Sequence, residues 1–411
     1  MNYEKDSKSN YLLKRVGQSY ENRSVVILGQ NGEGKSRLLV DLIDRADDYS
    51  YKNVIAVSTS PFDKFPIRKK YNFITYNYVG VKGGGTGNSI LSLISSASLG
   101  LLDQNKNNDR HIERILSFLG ASSEVEYVFK ASQGIFNYYE LSNNPTDEII
   151  SRLGLGFDEK TVELTYNDLE RIKLAAGFLI YSTDANKNFK VGLKIGGGAY
   201  LKSKRGHADN INANLLTLLE FNLIKLIDFR IEKKSFGWMS LRLASSGEQC
   251  ILLSLLGIAT NICNRSLILI DEPEISLHPE WQEKYISLLM RIFERYNSCL
   301  FVIATHSPQV VSKLDPFRSF IYTIKNDELV SASEYVKKSS DFQLANLFLA
   351  PGYKNEYLTR ELITFLTSPN EYMKNNKSDE IKKIISLRET IDPLDPVFKL
   401  IEIAKKVIAE I

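Results

Sequence analysis

The sequence predicts an α/β fold, and three observations carry that prediction. Val25–Leu28 (VVIL) is a short apolar run that ends in a glycine-rich loop and is followed by the amphipathic pattern SRLLVDLIDRA. Strand, loop and helix thus follow one another. Leu267–Ile270 (LILI) and Leu300–Ala304 (LFVIA) are further apolar runs that end in polar residues, with a helical pattern between them, as buried parallel strands do. The third is composition: 43% hydrophobic and 25% charged residues over 411 positions describe an ordinary folded chain. That length asks for two to three domains, or one large domain with an insertion. Disordered, collagen-like and small disulfide-stapled classes are excluded.

Taken in order, residues 1–65 form the first lobe, with Val54–Val57 (VIAV) as its second strand. From Pro66 to about residue 237 the character changes to glycine clusters (Gly83–Gly85, Gly196–Gly198), a polar stretch (Asp103–Arg110) and amphipathic helical patterns. This is expected to be a largely helical insertion, with Phe189–Leu201 as a β-hairpin and Asn212–Phe229 as a helix. Regular α/β signals return over residues 238–335, the second lobe. Residues 336–411 read as a helical tail.

Lys+Arg 52 against Asp+Glu 49 leaves a net charge of +3, which neither demands nor excludes nucleic acid. Cys250, Cys263 and Cys299 form no CxxC pair and there are four histidines, so a structural zinc site is not expected. Sparse, odd-numbered cysteines fit a reducing compartment. The polar N-terminus lacks the apolar core of a signal peptide, and the apolar run Ile251–Cys263 is too short for a membrane span. A cytoplasmic protein with no membrane partner is expected.

Four motifs carry chemistry. Gly29-Gln30-Asn31-Gly32-Glu33-Gly34-Lys35-Ser36, with Arg37 behind it, matches GxxxxGK[ST] between a strand and a helix. Glycines there let backbone N–H groups curl around a β-phosphate at a helix N-terminus. Lys35 reaches the β/γ oxygens and Ser36 offers a hydroxyl to Mg²⁺. Asp271 and Glu272 end the strand LILI, one acid for the metal side and one as general base. Ser245-Ser246-Gly247-Glu248 opens an apolar helix, with Ser246 25 residues before Asp271. Ser246 is expected as both cap and phosphate donor, although a plain helix cap satisfies the same residues. His306 follows the strand LFVIA, 35 residues after Asp271, where a histidine can meet a γ-phosphate or the attacking water. Alone it would equally be structural.

Together these motifs resemble the ATP-binding-cassette ATPases, in the order P-loop, signature, acidic strand and switch histidine. Asn31 matches the GxNGxGKS form of the chromosome-maintenance and repair members. DEPEISLHPEWQ (Asp271–Gln282) is similar to the DEPExxLHPxxQ string of the RecF-like and overcoming-lysogenization-defect ATPases. Within that class, ILGQNGEGKSRLL, VSTSPFDKF (Val57–Phe65) and LASSGEQ resemble the ATPase subunit of Septu-type (PtuA-like) and retron-associated phage-defence systems. The resemblance covers residues 20–60 and 238–312.

It implies that Gly29 to Arg37 bind ATP, with Ser36 and Asp271 on Mg²⁺, Glu272 on the water and His306 on the γ-phosphate. It also implies that Ser245, Ser246, Gly247 and Glu248 reach the nucleotide of a second subunit in a head-to-tail dimer or a higher even oligomer. Ser276, Leu277 and His278 would occupy the loop crossing that interface. A separate HNH-type nuclease, and beyond it a reverse transcriptase–nucleic acid complex, are the implied partners. One departure is the glutamine loop: no glutamine follows VIAV, and Asp63 is its stand-in.

The separation of 209 positions from Ser36 to Ser245 is too short for a long coiled coil and more than a transporter's helical subdomain needs. Lys69, Lys70, Lys82, Lys202, Lys204 and Arg205 could line a nucleic-acid or partner surface, or simply a solvated one. Lys82–Gly87 lacks a following GK[ST] and reads as a connecting loop. No DxD pair follows His306, since Asp392 and Asp395 are separated by two residues, and His111, His207, His278 and His306 are scattered. No intrinsic nuclease is therefore expected, and tail segments such as NEYLTRELITF (Asn355–Phe365) and Ile381–Leu387 read as docking helices. Three functions compete: an ATPase switch for a defence nuclease, a RecF-like repair ATPase that grips DNA itself, and a scaffold that binds nucleotide with little hydrolysis.

Overall fold

The computed structural model describes residues 7–60, 62–67, 69–80, 82, 109–132, 166–201, 210–275, 277–374 and 377–410. Gly83–Gly87, residues 103–108, Lys202, Lys204, Arg205, His207 and Ser276, all singled out above, lie outside them. The chain divides into two compact units: Met1–Ala56, Phe62–Tyr78 and Cys263–Ile411 form one, and Val57–Pro61 with Val79–Ile262 form the other.

The first unit is α/β. Its strands are β1 (Arg23–Leu28), β2 (Asn53–Ser58), β3 (Thr75–Gly80), β9 (Ser266–Asp271), β10 (Leu300–Thr305), β11 (Ser319–Thr323) and β12 (Glu328–Ser331). They join in one sheet in the order β12-β11-β1-β10-β9-β2-β3. β10 lies parallel between β1 and β9, with Leu28 opposite Thr305 and Ala304 opposite Asp271. β11 is parallel to β1, and β12 returns antiparallel to β11. Every residue of β2, β9 and β10 is buried, which is why their sequences read as unbroken apolar runs rather than alternating ones. Leu38, Leu39, Leu42 and Ile43 put one face of the helix Lys35–Arg45 into the core against Val25, Ile27, Leu269 and Val302, the spacing an amphipathic helix requires.

The tail is helical, as expected. Helices Ser340–Asn346, Glu356–Thr367, Pro369–Lys374, Ser378–Ser386 and Pro396–Glu410 share a core of their own around Leu358, Leu362, Phe365, Ile381 and Ile401. No helix among the described residues is long and apolar enough to cross a membrane. No disulfide joins Cys250, Cys263 and Cys299, and burial pushes the Cys299 thiol up to about 12.

The second unit differs from the largely helical expectation. Its described part is built on an antiparallel five-stranded sheet, β6-β5-β4-β7-β8. The strands are β4 (Ala121–Ala131), β5 (Asn188–Lys194), β6 (Gly198–Leu201), β7 (Ile224–Lys233) and β8 (Gly237–Ser240). The expected hairpin is β5–β6, with Gly196 and Gly198 at positive φ in its turn. The expected helix over Asn212–Phe229 stops at Glu220, because Asn222 adopts φ 54 and IKLIDFRIEK then forms β7. Aromatic pairs knit this sheet, Tyr127 with Phe229 at 5.1 Å and Phe129 with Phe189 at 5.3 Å between ring centroids. Helices Asp109–Phe118, Tyr166–Ser182, Ile211–Glu220 and Ser246–Ala259 complete the unit.

The helix Ser246–Ala259 thus groups with this sheet rather than with a C-terminal lobe starting at residue 238. One contact with that sheet accounts for it: Lys233 of β7 forms an ion pair with Glu248 at 2.5 Å.

Candidate functional site

In the first unit, β1, β10 and β9 are adjacent and parallel, so everything that follows their carboxyl ends is gathered at one edge of the sheet. Such edges are where open α/β sheets bind ligands. β1 runs into the loop Gly29–Gly34, β9 ends at Asp271 and Glu272, and β10 ends at Thr305 before His306.

Gly32 and Gly34 take φ values of 87° and 99°, a region that strains any residue with a Cβ. The turn they make starts the helix at Lys35, where Leu38 N–H donates to Gly34 O at 2.9 Å. Glu33 braces the loop from within, its Oε2 accepting from Gln30 N–H at 2.7 Å. Gln30, Asn31, Gly32 and Arg37 are exposed, Gly29, Glu33, Gly34 and Ser36 half-buried, and Lys35 buried. Lys35 Nζ donates to Gly29 O at 2.9 Å and Gln30 O at 3.2 Å, and lies 3.6 Å from Glu272 Oε1. The ammonium is therefore held over the mouth of its own loop.

Burial pushes the Asp271 carboxyl up to about 6. The Ser36 hydroxyl's hydrogen bond and Lys35 counter that shift, while the charges of Glu272 and Asp63 add to it. Asp271 Oδ1 is buried and accepts no hydrogen bond among the described residues. Glu272 sits at φ 47, a left-handed conformation for a residue with a side chain, and its N–H donates to Ala304 O at 2.9 Å. Strain of this kind concentrates at functional positions. Glu272 Oε1 is 3.5 Å from His306 Nδ1.

An acidic oxygen without a donor, a serine hydroxyl on the same carboxylate and a buried ammonium suit an Mg²⁺-bound polyphosphate. Ser36 and Asp271 would hold the metal, and Lys35 with the loop's N–H groups would hold the phosphates. Among the described residues no three His, Cys, Asp or Glu side chains cluster as a metal cage, and Mg²⁺ carried by phosphate needs none.

Three residues enter here without having been assigned a role from sequence. Glu274, buried at 5% exposure, places Oε1 3.2 Å from His306 Nδ1 and accepts from the Thr305 hydroxyl and the His306 N–H. Gln282 donates to Leu277 O at 2.9 Å and accepts from the Ser307 hydroxyl at 2.7 Å, tying the segment after β9 to the segment after β10. Tyr78 donates to Asp63 Oδ2 at 2.6 Å, while Asp63 Oδ1 accepts from Phe65 N–H at 2.9 Å. Asp63, the stand-in for a glutamine, is thus hydrogen-bonded to its own unit and reaches Asp271 through its charge. The spacing in DEPEISLHPEWQ was the available signal for Glu274 and Gln282.

Leu277 is buried and His278 caps the helix Pro279–Ile292 through Nδ1, which accepts from Glu280 N–H. In the second unit the helix cap is Ser245, not Ser246. Ser245 Oγ accepts from Glu248 N–H, and Glu248 Oε2 accepts from Ser245 N–H at 2.9 Å, a reciprocal capping box. Burial alone would raise the Glu248 carboxyl, but the Lys233 ion pair and the Ser245 N–H hold it below the usual range. Ser246 is the first helical residue and is exposed, beside a buried Gly247.

Residues 193–312, which hold Ser245–Glu248, Asp271, Glu272 and His306, match the family model described as "AAA domain, putative AbiEii toxin, Type IV TA system". The Escherichia coli protein "Retron Ec83 probable ATPase" is 29% identical over 36% of this chain and 31% of its own length. "Protein ea59" of Escherichia phage lambda is 33% identical over 17% of this chain and 13% of its own. The chain therefore spans less than a third of the length of these curated relatives. Among solved structures, cbiO1 from Clostridium perfringens, part of the ABC transporter complex cbiONQ, aligns over 81% of this chain and 84% of its own. Its identity is 13% and its TM-score 0.26. Stu0660 of Streptococcus thermophilus aligns over 76% and 71%, at 12% identity and a TM-score of 0.27. Scores this low carry no argument, and the fold rests on the topology above.

Proposed function

We propose that this chain is an ABC-type ATPase that binds and hydrolyses ATP, closes as a dimer around two nucleotides, and controls a separate nuclease in anti-phage defence. The observation that carries the reading is the meeting of Lys35, Ser36, Asp271, Glu272 and His306 at the carboxyl ends of three adjacent parallel strands. There Lys35 stands 3.6 Å from Glu272, and Glu272 3.5 Å from His306.

Each residue has a step. Gly29–Gly34 and Lys35 bind the phosphates and orient the terminal one. Ser36 and Asp271 would hold Mg²⁺, which would neutralise charge on the phosphate oxygens. Glu272 lies between Lys35 and His306, 3.6 Å and 3.5 Å from them, and is the group to accept the proton of the attacking water. His306 stands on the other side of that carboxylate, at the γ-phosphate end. The exposed Ser246 at the head of its helix suits an anion on a second subunit, and the self-cored tail offers a docking element. A relative named a retron probable ATPase supports the defence setting; an HNH-type nuclease as partner, and a reverse transcriptase–nucleic acid complex beyond it, rest on the resemblance of the motifs alone.

Steady-state phosphate release tests the chemistry. Glu272→Gln lowers turnover by about 10²- to 10⁴-fold, the usual contribution of a general base, with ATP still bound, whereas Lys35→Ala weakens binding itself. Turnover unchanged in Glu272→Gln would contradict the assignment.

A further inference from the structure

The carboxylate of Glu274 has no role in the steps above, yet it is among the most constrained polar groups in the first unit. It is buried, at 4% side-chain exposure, three residues beyond Asp271. Its Oε1 accepts from the Thr305 hydroxyl and from the His306 backbone N–H at 2.9 Å, and His306 Nδ1 lies 3.2 Å from the same oxygen and 3.5 Å from Glu272 Oε1. Its Oε2 is buried and accepts no hydrogen bond among the described residues. Two donors on one oxygen, with a ring nitrogen beside it, suit a group that accepts at that oxygen.

We propose that Glu274 is a positioning residue that fixes His306 with its proton on Nδ1, leaving Nε2 as the free, accepting nitrogen at the γ-phosphate end of the site. This rests on the ATPase reading and deepens it. Two links hold the ring. Glu274 binds the His306 backbone N–H and the Thr305 side chain, so the segment carrying the ring is fixed as well as the ring itself. The ring is half-exposed, at 47%, so Nδ1 is tied down while the opposite edge stays open.

A neutral imidazole donates from one nitrogen and accepts at the other, and the partner of the first decides which. Free histidine carries no such bias toward Nδ1, so the choice is made by the partner. With Nδ1–H given to Glu274, Nε2 is left as the nitrogen that accepts a hydrogen bond from the attacking water. The proton itself leaves to Glu272. Where a carboxylate orients a metal-bound histidine its removal costs roughly 10- to 100-fold in activity, and the lower end of that range is expected for His306, which is not assigned to a metal.

The test is ¹⁵N-histidine labelling of the full chain. Only four histidines contribute signals, and His306→Gln identifies the one of interest. The expected wild-type result is the Nδ1–H tautomer at His306. In Glu274→Ala the signal moves to the Nε2–H pattern, ATP turnover falls about tenfold or more, and ATP affinity stays within about threefold. Glu274→Gln, which keeps an accepting oxygen, restores the Nδ1–H tautomer. A wild-type Nε2–H tautomer overturns the proposal without any variant, and so does an Nδ1–H signal that persists in Glu274→Ala. The tautomer is read with no nucleotide present. A correct tautomer in a chain that does not hydrolyse ATP supports Glu274 as positioning His306 and contradicts the ATPase reading alone.

Discussion

Asp271 concentrates the physical conflict of the site. Its carboxyl is pushed up to about 6 by burial, so the folded chain resists ionising a group that the unfolded chain ionises near 3.8. Stability is therefore fully retained below pH 4 and lost as pH rises through 6. The loss is on the order of 3 kcal/mol at one pKa unit per 1.36 kcal/mol. Asp271→Asn removes it: the variant melts above wild type at pH 8, and the gap closes toward pH 4. Thermal melting at both pH values checks this, and a gap independent of pH would contradict the burial argument. Addition of Mg²⁺ and ATP stabilises wild type and not the variant. At this scale the sequence was informative because P-loop chemistry needs fixed residue types at fixed spacing. Lys35 lies 3.6 Å from Glu272 and Glu272 3.5 Å from His306, with Asp271 beside them at the end of β9. The capping serine and the role of Glu274 depend on which oxygen a given N–H meets, and spacing does not determine that.

Among elements, the helix Ser246–Ala259 carries the clearest prediction. Its first turn relies on one side chain twice, since Glu248 closes the capping box with Ser245 and neutralises Lys233, itself buried and also donating to Leu119 O. Glu248→Ala removes both and leaves a buried cation, at a cost of roughly 3 kcal/mol. Glu248→Gln keeps the cap and costs about half as much. Trp238 lies on β8 of the same unit, and Trp281 is the other tryptophan, so Trp281→Phe leaves fluorescence that follows this unit through urea unfolding. Equal losses in the two variants would contradict the double role. Element type was legible where burial was total, as in β9 and β10. It was not legible in β4 and β7, whose sequences ASSEVEYVFKA and IKLIDFRIEK mix charges with apolar residues. Their burial is set by pairing with each other across sequence separations of about a hundred residues, a tertiary effect that overrides local pattern.

At the scale of the whole molecule the two units divide the labour: one gathers the P-loop, the acids and His306, and the other presents the helix beginning at Ser246. The fold class and the helical tail were legible because apolar periodicity is strong in both. The boundary of the second unit was not, because the Lys233–Glu248 ion pair, which the local pattern does not reveal, ties the helix Ser246–Ala259 to β7. The tail's separate core around Leu358, Phe365 and Ile401 gives a further prediction. Phe365→Ala, at a fully buried ring, costs about 3–5 kcal/mol. In a pull-down it releases the nuclease proposed as partner while the ATP affinity of the first unit is retained; loss of ATP binding with that partner still held would contradict the proposal that the tail docks it.

The central claim is that ATP drives two copies of this chain together. Mass photometry of wild type and Glu272→Gln, without nucleotide and with ATP and Mg²⁺, tests it most directly. The account predicts that ATP shifts the population to dimers or higher even assemblies, most completely in Glu272→Gln, where bound ATP persists, and that Ser246→Arg abolishes the shift. A mass distribution that ignores nucleotide in both proteins would contradict it.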